Sequence, residues 1–112
     1  SVVILERPMA DIVLKNGDWL AAEARRGAYR QKVEKLLLEG DVRLYHDKGY
    51  QLQTAKMVIN LKQNQAWSDV PVYGQGPAGI LESTGMQAHS KTGKVIFTGP
   101  VKLKLYQSLK GL

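Results

Sequence analysis

Apolar and polar residues alternate with period two along much of this chain, the spacing that sends successive side chains to opposite faces of a sheet. The alternation is plainest in Val42-Arg43-Leu44-Tyr45, Tyr50-Gln51-Leu52-Gln53-Thr54, Met57-Val58-Ile59-Asn60-Leu61-Lys62 and Val101-Lys102-Leu103-Lys104-Leu105. Between such runs lie Asn16-Gly17, Lys48-Gly49, Gln63-Asn64 and Thr92-Gly93, pairs in which Gly or Asn supplies the positive φ of a tight reversal. The pattern predicts short, half-buried strands in close succession.

Residues 18–38 dissent. Leu20 to Arg25 and Lys32 to Leu38 are good helix formers, with Asp18 placed as an N-cap and Gly40 as a C-cap. An internal repeat argues the other way. The stretches 17–47, 49–76 and 78–105 each run as a strand, a small or Thr residue, a second strand, a turn and a closing strand. The small residues align as Ala24, Thr54 and Ser83, and the closing strands as Val42-Arg43-Leu44-Tyr45, Val70-Pro71-Val72-Tyr73 and Val101-Lys102-Leu103-Lys104. A period of about thirty residues accommodates some four short strands and leaves no room for a long helix in one copy alone. Residues 18–38 are therefore predicted to be strands. The segment from Ile4 to Asp11 echoes the end of a preceding unit, so the chain is expected to begin mid-repeat, with an N-terminal segment, a targeting signal or an anchor, missing.

Strand pairs of uniform parity imply two sheets folded over one apolar interior, open at its ends, as in a jelly roll, a rolled sandwich or a solenoid. With 112 residues, 44% of them hydrophobic and 23% charged, the chain suits one domain, residues 1–112. It has no Cys, which removes zinc-ribbon, thioredoxin-like and thiol-nucleophile chemistry. No run approaches the roughly 18 apolar residues of a spanning helix. The net charge of +6 is uneven: residues 83–112 hold Lys91, Lys94, Lys102, Lys104 and Lys110 and no acid. Such a bias attracts anionic polymers or lipid, or simply solvates a strand face.

Catalytic signals are thin. Gly74-Gln75-Gly76-Pro77-Ala78-Gly79 matches a dinucleotide fingerprint in letters only, because Pro77 intervenes and a strand rather than a helix follows. It reads as a tight connection between strands. His46 and His89 are the only histidines, neither with a second ligand at metal spacing, and His46-Asp47 reads as a turn. No metal, cofactor or catalytic group is expected. In the basic C-terminal third the aromatics are Phe97 and Tyr106 alone, too few for nucleic-acid stacking.

The segments Gly40 to Leu52, Ala66-Trp67-Ser68-Asp69-Val70-Pro71-Val72-Tyr73-Gly74-Gln75-Gly76-Pro77 and Val95-Ile96-Phe97-Thr98-Gly99-Pro100-Val101-Lys102-Leu103, in that order, resemble the periplasmic domain of the LptC family in its alphaproteobacterial form. The resemblance covers nearly the whole chain. It implies an all-β, OstA-like β-jellyroll likened to a folded taco, held in the periplasm by an inner-membrane helix outside this chain. It also implies a role in lipopolysaccharide transport: lipopolysaccharide received from an inner-membrane ABC transporter and passed to a periplasmic bridge protein of the same fold. Where family members carry aromatics after the Gly-Pro pair and after a later Gly, this chain has Ala78 and Met86.

The family supplies no compact motif for lipid contacts, so these follow from alternation. Leu44, Leu52, Ile59, Val72, Phe97 and Leu103 are expected to face an apolar groove that takes acyl chains, while Arg43, Gln51, Asn60, Lys102 and Lys104 face water. Lysines near the rim are candidates for lipid phosphates, without the pattern saying which. Val101, Leu103 and Leu105 in the last strand form the expected docking edge for the bridge protein. The competing expectation is a closed β-sandwich that binds acidic polysaccharide through its basic C-terminal face.

Overall fold

The computed structural model describes residues 1–13 and 17–106. Its regular structure is entirely strand: β1 (Val2–Glu6), β2 (Met9–Val13), β3 (Trp19–Glu23), β4 (Arg26–Arg30), β5 (Lys35–His46), β6 (Gln51–Asn60), β7 (Gln65–Ser68), β8 (Val72–Gly76), β9 (Gly79–Ser83), β10 (Gly85–His89), β11 (Lys94–Thr98) and β12 (Lys102–Leu105). Residues 18–38 form β3, β4 and the start of β5 despite their helix propensity. Ladder pairing and one-sided burial override it.

All pairings are antiparallel, and they divide into two walls that share β5 and β6. The first wall runs β1-β4-β5-β6-β7-β10-β11, using residues 35–39 of β5 and 56–60 of β6. The second runs β2-β3-β5-β6-β8-β9-β12, using residues 42–46 and 51–54. The architecture is an open, folded β-jellyroll, not closed into a barrel. The crease between the walls has a local cause in each closing limb. Arg7-Pro8, Asp69-Val70-Pro71 and Gly99-Pro100 break the ladder with a residue that lacks an N–H. In β5 the break is a bulge at Gly40 and Asp41, with φ of +81° and +47°. Gly40 also lies against Arg25, whose Cβ would sit 2.9 Å from an added methyl.

The repeat survives in three dimensions with one adjustment. Val72, rather than Val70, is the equivalent of Val42 and Val101: Thr54 pairs with both Val42 and Val72, and Lys102 opposite Glu82 carries Val101 to the level of Ser83. Val70-Pro71 belongs to the crease. The two-residue slip preserves parity, so the inward set is unchanged. The fingerprint-like glycines form the expected connection, with Gly76 paired to Gly79 across the β8–β9 turn. A side chain at Gly79 would run into the Lys104 carbonyl oxygen. Lys48-Gly49, Gln63-Asn64 and Thr92-Gly93 are turns, with positive φ at Gly49, Asn64 and Gly93. Gly17 likewise has φ +90°, while Asn16 lies outside the described residues.

The core sits along the crease. Leu38, Met57 and Met86 from the first wall meet Ala24, Val42 and Val72 from the second, each no more than 8% exposed. The small polar residues of the repeat close this line. The Thr54 hydroxyl donates to the Pro71 carbonyl (2.9 Å) and lies 3.0 Å from the Ser68 hydroxyl, and Ser83 donates to the Gly85 carbonyl at 2.9 Å. Bends that would otherwise bury unpaired carbonyls are thereby satisfied.

Candidate functional site

Away from the crease, inward side chains fall into rows that cross every strand. On the second wall the row is Ala10, Ala22, Leu44, Leu52, Gly74, Leu81 and Leu103, each opposite the next. On the first wall it is Val3, Tyr29, Leu36, Ile59, Ala66, Ala88 and Val95. Burial falls with distance from the crease: Met57 and Val72 are 1% and 0% exposed, whereas Leu36, Ile59, Ala66 and Ala88 are only half-buried. Together the rows give each wall an apolar inner face, buried along the crease and more exposed towards the rims.

Each wall ends in edge strands. β1 and β2 at one end, and β11 and β12 at the other, each have a single partner. Tyr106 N–H donates to the Ala78 carbonyl at 2.8 Å, which sets the alternation in the last strand. Lys102 and Lys104 bond to β9, so Leu103 and Leu105 turn their N–H and C=O groups outward. The side chains of Leu103 and Leu105 are 63% and 68% exposed.

Polar clusters lie away from the apolar core. Arg43 donates from Nε (3.1 Å) and Nη2 (3.2 Å) to the Asp41 carboxylate, which also accepts from Gln53 at 3.0 Å. The hydrogen bond from Arg43, with its charge, holds the Asp41 carboxyl below the usual carboxylate range, and Asp41 in turn raises Arg43. At the second wall's rim the fold brings Asp18 to His46 and Asp47, a grouping the sequence hid because Asp18 is remote in the chain. His46 Nε2 lies 3.3 Å from Asp18 Oδ2, and Asp47 Oδ1 is 3.2 Å from Nδ1. Three of these groups' atoms are close enough to hold a cation. However, Lys48 occupies the site from two sides: its N–H donates to His46 Nδ1 (3.1 Å) and its Nζ lies 3.3 Å from Asp18 Oδ2. The cluster reads as a rim fastening between β3 and the 47–49 turn. Two solvent-open hollows, of about 530 and 370 Å³, lie at Met9, Glu23 and Arg25 and on the outer side of the second wall around Arg43, Gln53, Tyr73 and Glu82. Neither shows the convergent catalytic groups of an enzyme site.

The profile of a family described as lipopolysaccharide-assembly, LptC-related, matches residues 2–106. The chain belongs to the LptC-related family. The family is one of transport and binding proteins that serve lipopolysaccharide transport, and membership points to a periplasmic domain of an inner-membrane-anchored protein. No curated protein matches the chain. Among the described residues no helix is long and apolar enough to cross a membrane.

In this LptC-related fold the residues singled out by alternation occupy distinct places. Val72 and Leu44 are buried in the core, 0% and 7% exposed. Leu52, Ile59 and Phe97 are half-buried on the inner faces of the walls, and Leu103 is exposed on the edge strand β12. Arg43, Gln51, Lys102 and Lys104 have the outward parity expected of them. Asn60 does not face water: it is 7% exposed, accepting from the Gln63 N–H (3.0 Å) and donating to Gln63 Oε1 (3.3 Å) beneath the 61–64 turn. Leu36, Leu81, Ala66 and Ala88 complete the rows. Aligning each repeat copy onto Ile59 and Leu52 would have found them. The C-terminal lysines do not form one face: Lys91 and Lys94 are at the rim of the first wall, Lys102 and Lys104 lie outside the second, and Lys110 is outside the described residues.

Proposed function

We propose that this domain carries lipopolysaccharide by its acyl chains in an apolar trough between the two walls, taking it from an inner-membrane ABC transporter and passing it to a periplasmic bridge protein of the same fold. The observation that carries the reading is the registry of the two apolar rows, which continue through all seven strands of each wall to both open ends. Moving fatty tails demands such continuity, because exposing a dozen methylenes to water costs on the order of 10 kcal/mol. Leu52, Ile59, Phe97 and Leu103 contact the tails, over a floor that includes Leu44 and Val72. The chain acts in the periplasm, anchored to the inner membrane through a segment outside the sequence described. Val101, Leu103 and Leu105 dock the bridge protein by strand addition to β12.

Photoreactive residues decide the trough. Placed at Ile59 or Leu103 they are expected to give lipopolysaccharide adducts, and placed at the outward Lys56 or Lys104 they are expected to give few. Equal yields on both parities would overturn the reading. Binding that persists in high salt separates acyl burial from rim electrostatics, and so from the polysaccharide alternative. Leu103→Pro should abolish capture of the bridge protein. Undiminished capture rejects β12 as the docking edge.

A further inference from the structure

The first wall's rim is built from three turns of one design. Residues 31–34, 61–64 and 90–93 each bridge consecutive strands of that wall, and each ends on a positive φ: Glu34 at 50°, Asn64 at 56° and Gly93 at 70°. The turns are tied into one line, since Leu61 N–H donates to the Glu34 carbonyl at 2.9 Å and Ser90 N–H to the Asn64 carbonyl at 3.0 Å. Their sequences, Gln31-Lys32-Val33-Glu34, Leu61-Lys62-Gln63-Asn64 and Ser90-Lys91-Thr92-Gly93, agree at the second position alone, and that residue is Lys each time. Lys32, Lys62 and Lys91 are exposed, and none takes part in the ion pairs found among the described residues. Successive lysines are two strands apart, which sets them about 9.5 Å from one another along the trough. The opposite rim offers no such ladder among the described residues: there Lys48 stands with Asp18 and Asp47.

A folding role does not require Lys at this place, because an exposed turn position accepts most polar residues. What the three share is a fixed charge at a fixed interval beside the apolar trough. We propose that Lys32, Lys62 and Lys91 form a rail for the anionic head-group phosphates of the lipid whose tails lie in the trough, each lysine serving one step of its travel. This rests on the trough reading above and adds the polar half of the ligand to it. Equal partners at equal intervals leave the head group with similar energy at each step, so that no position holds the lipid fast. Exposed pairs of this kind are individually weak, which suits a ligand that must move on.

The test compares diphosphoryl lipid A with enzymatically dephosphorylated lipid A of identical tails, binding to the unaltered protein and to Lys32→Gln/Lys62→Gln/Lys91→Gln. At low ionic strength the triple variant should bind the phosphorylated lipid about tenfold more weakly and the dephosphorylated lipid unchanged, and the difference should vanish near 1 M salt, where the Debye length is about 3 Å. Lys56→Gln/Lys102→Gln/Lys104→Gln removes the same charge from outward positions and should change neither. Equal losses in the two triple variants, equal losses for the two lipids, or no loss at all would each overturn the rail. If the unaltered protein binds neither lipid, the trough reading fails and takes the rail with it. Sedimentation with anionic phosphatidylglycerol vesicles separates a bilayer from a carried lipid: loss there, with lipid A binding intact, assigns the lysines to a membrane surface and overturns the proposal.

Discussion

Thr54→Val should loosen the crease, and the structure sets how far. Thr54 is 5% exposed, pairs with Val42 on one side and Val72 on the other, and sits where the second unit bends. Valine keeps the shape and β propensity but removes the hydroxyl that serves the Pro71 carbonyl at 2.9 Å and the Ser68 hydroxyl at 3.0 Å. The lost hydrogen bond contributes about 1 kcal/mol, and a buried carbonyl left without its donor costs about 1–3 kcal/mol. Ser68 relieves part of this by turning to the Val70 carbonyl, 3.2 Å away. The expected destabilisation is therefore about 1–3 kcal/mol, or a fall in Tm of roughly 5–20 °C for a domain of this size. Urea unfolding followed by tryptophan fluorescence checks it, with the midpoint falling and the slope unchanged. A double-mutant cycle with Ser68→Ala sharpens the test, because removing both hydroxyls should cost less than the sum of the single changes. A loss under about 0.5 kcal/mol in Thr54→Val, or strict additivity in the cycle, would refute the claim that these hydroxyls hold the bend.

Met57→Ala empties a site that is 1% exposed in the core along the crease and should cost about 2–5 kcal/mol, measurable by the same unfolding curve. Gly79→Ala places a methyl against the Lys104 carbonyl, so β12 should lose amide-exchange protection while β5 and β6 keep theirs. Asp41 titrates below the usual carboxylate range because Arg43 hydrogen-bonds its charged form. Its stabilising effect is then fully present above the unfolded-state value near 3.9 and is lost as pH falls through the lower folded value. Arg43→Gln should raise the Asp41 midpoint, as read by carboxyl NMR, and an unmoved midpoint would exclude Arg43 as the cause.

The walls were legible in the sequence because parity and repeat are local properties. Alternation gave the inward faces of β5, β6 and β12, and the alignment of Ala24, Thr54 and Ser83 showed that residues 18–38 had to be strands although each piece favours a helix. Helix propensity is a matter of tenths of a kcal/mol per residue, whereas the ladder and the apolar face act over the whole segment. Positions whose surroundings come from elsewhere were not legible. Asn60 has outward parity and a polar side chain, and only the returning 61–64 turn buries it. Val70 precedes a proline in a Val-x-Val pattern that fits two registers two residues apart, and the pairing of Val72 with Thr54 decides between them. Asp18 reaches His46 only once β3 lies against β5.

The burial gradient along a single row bears on docking. In the second wall's row Leu44 is 7% exposed, Leu52 is half-buried between strands, and Leu103, with the same parity, is 63% exposed. The chemistry of these residues is the same, and the difference is the absence of a next strand. Leu105 is in the same position at 68%. A strand added beside β12 would cover both leucines and engage the N–H and C=O groups they turn outward. At about 1.5–3 kcal/mol for full burial of a leucine, covering the two exposed side chains contributes about 2–4 kcal/mol before any backbone bond is counted. That is a modest gain, comparable to the cost of ordering a short partner segment, so docking through this edge is expected to be reversible. On the proposed reading such a strand would also extend the Leu44–Leu52–Gly74–Leu81–Leu103 row into the partner, so the residues that leave the isolated edge exposed are those that would make the apolar face continuous across the junction.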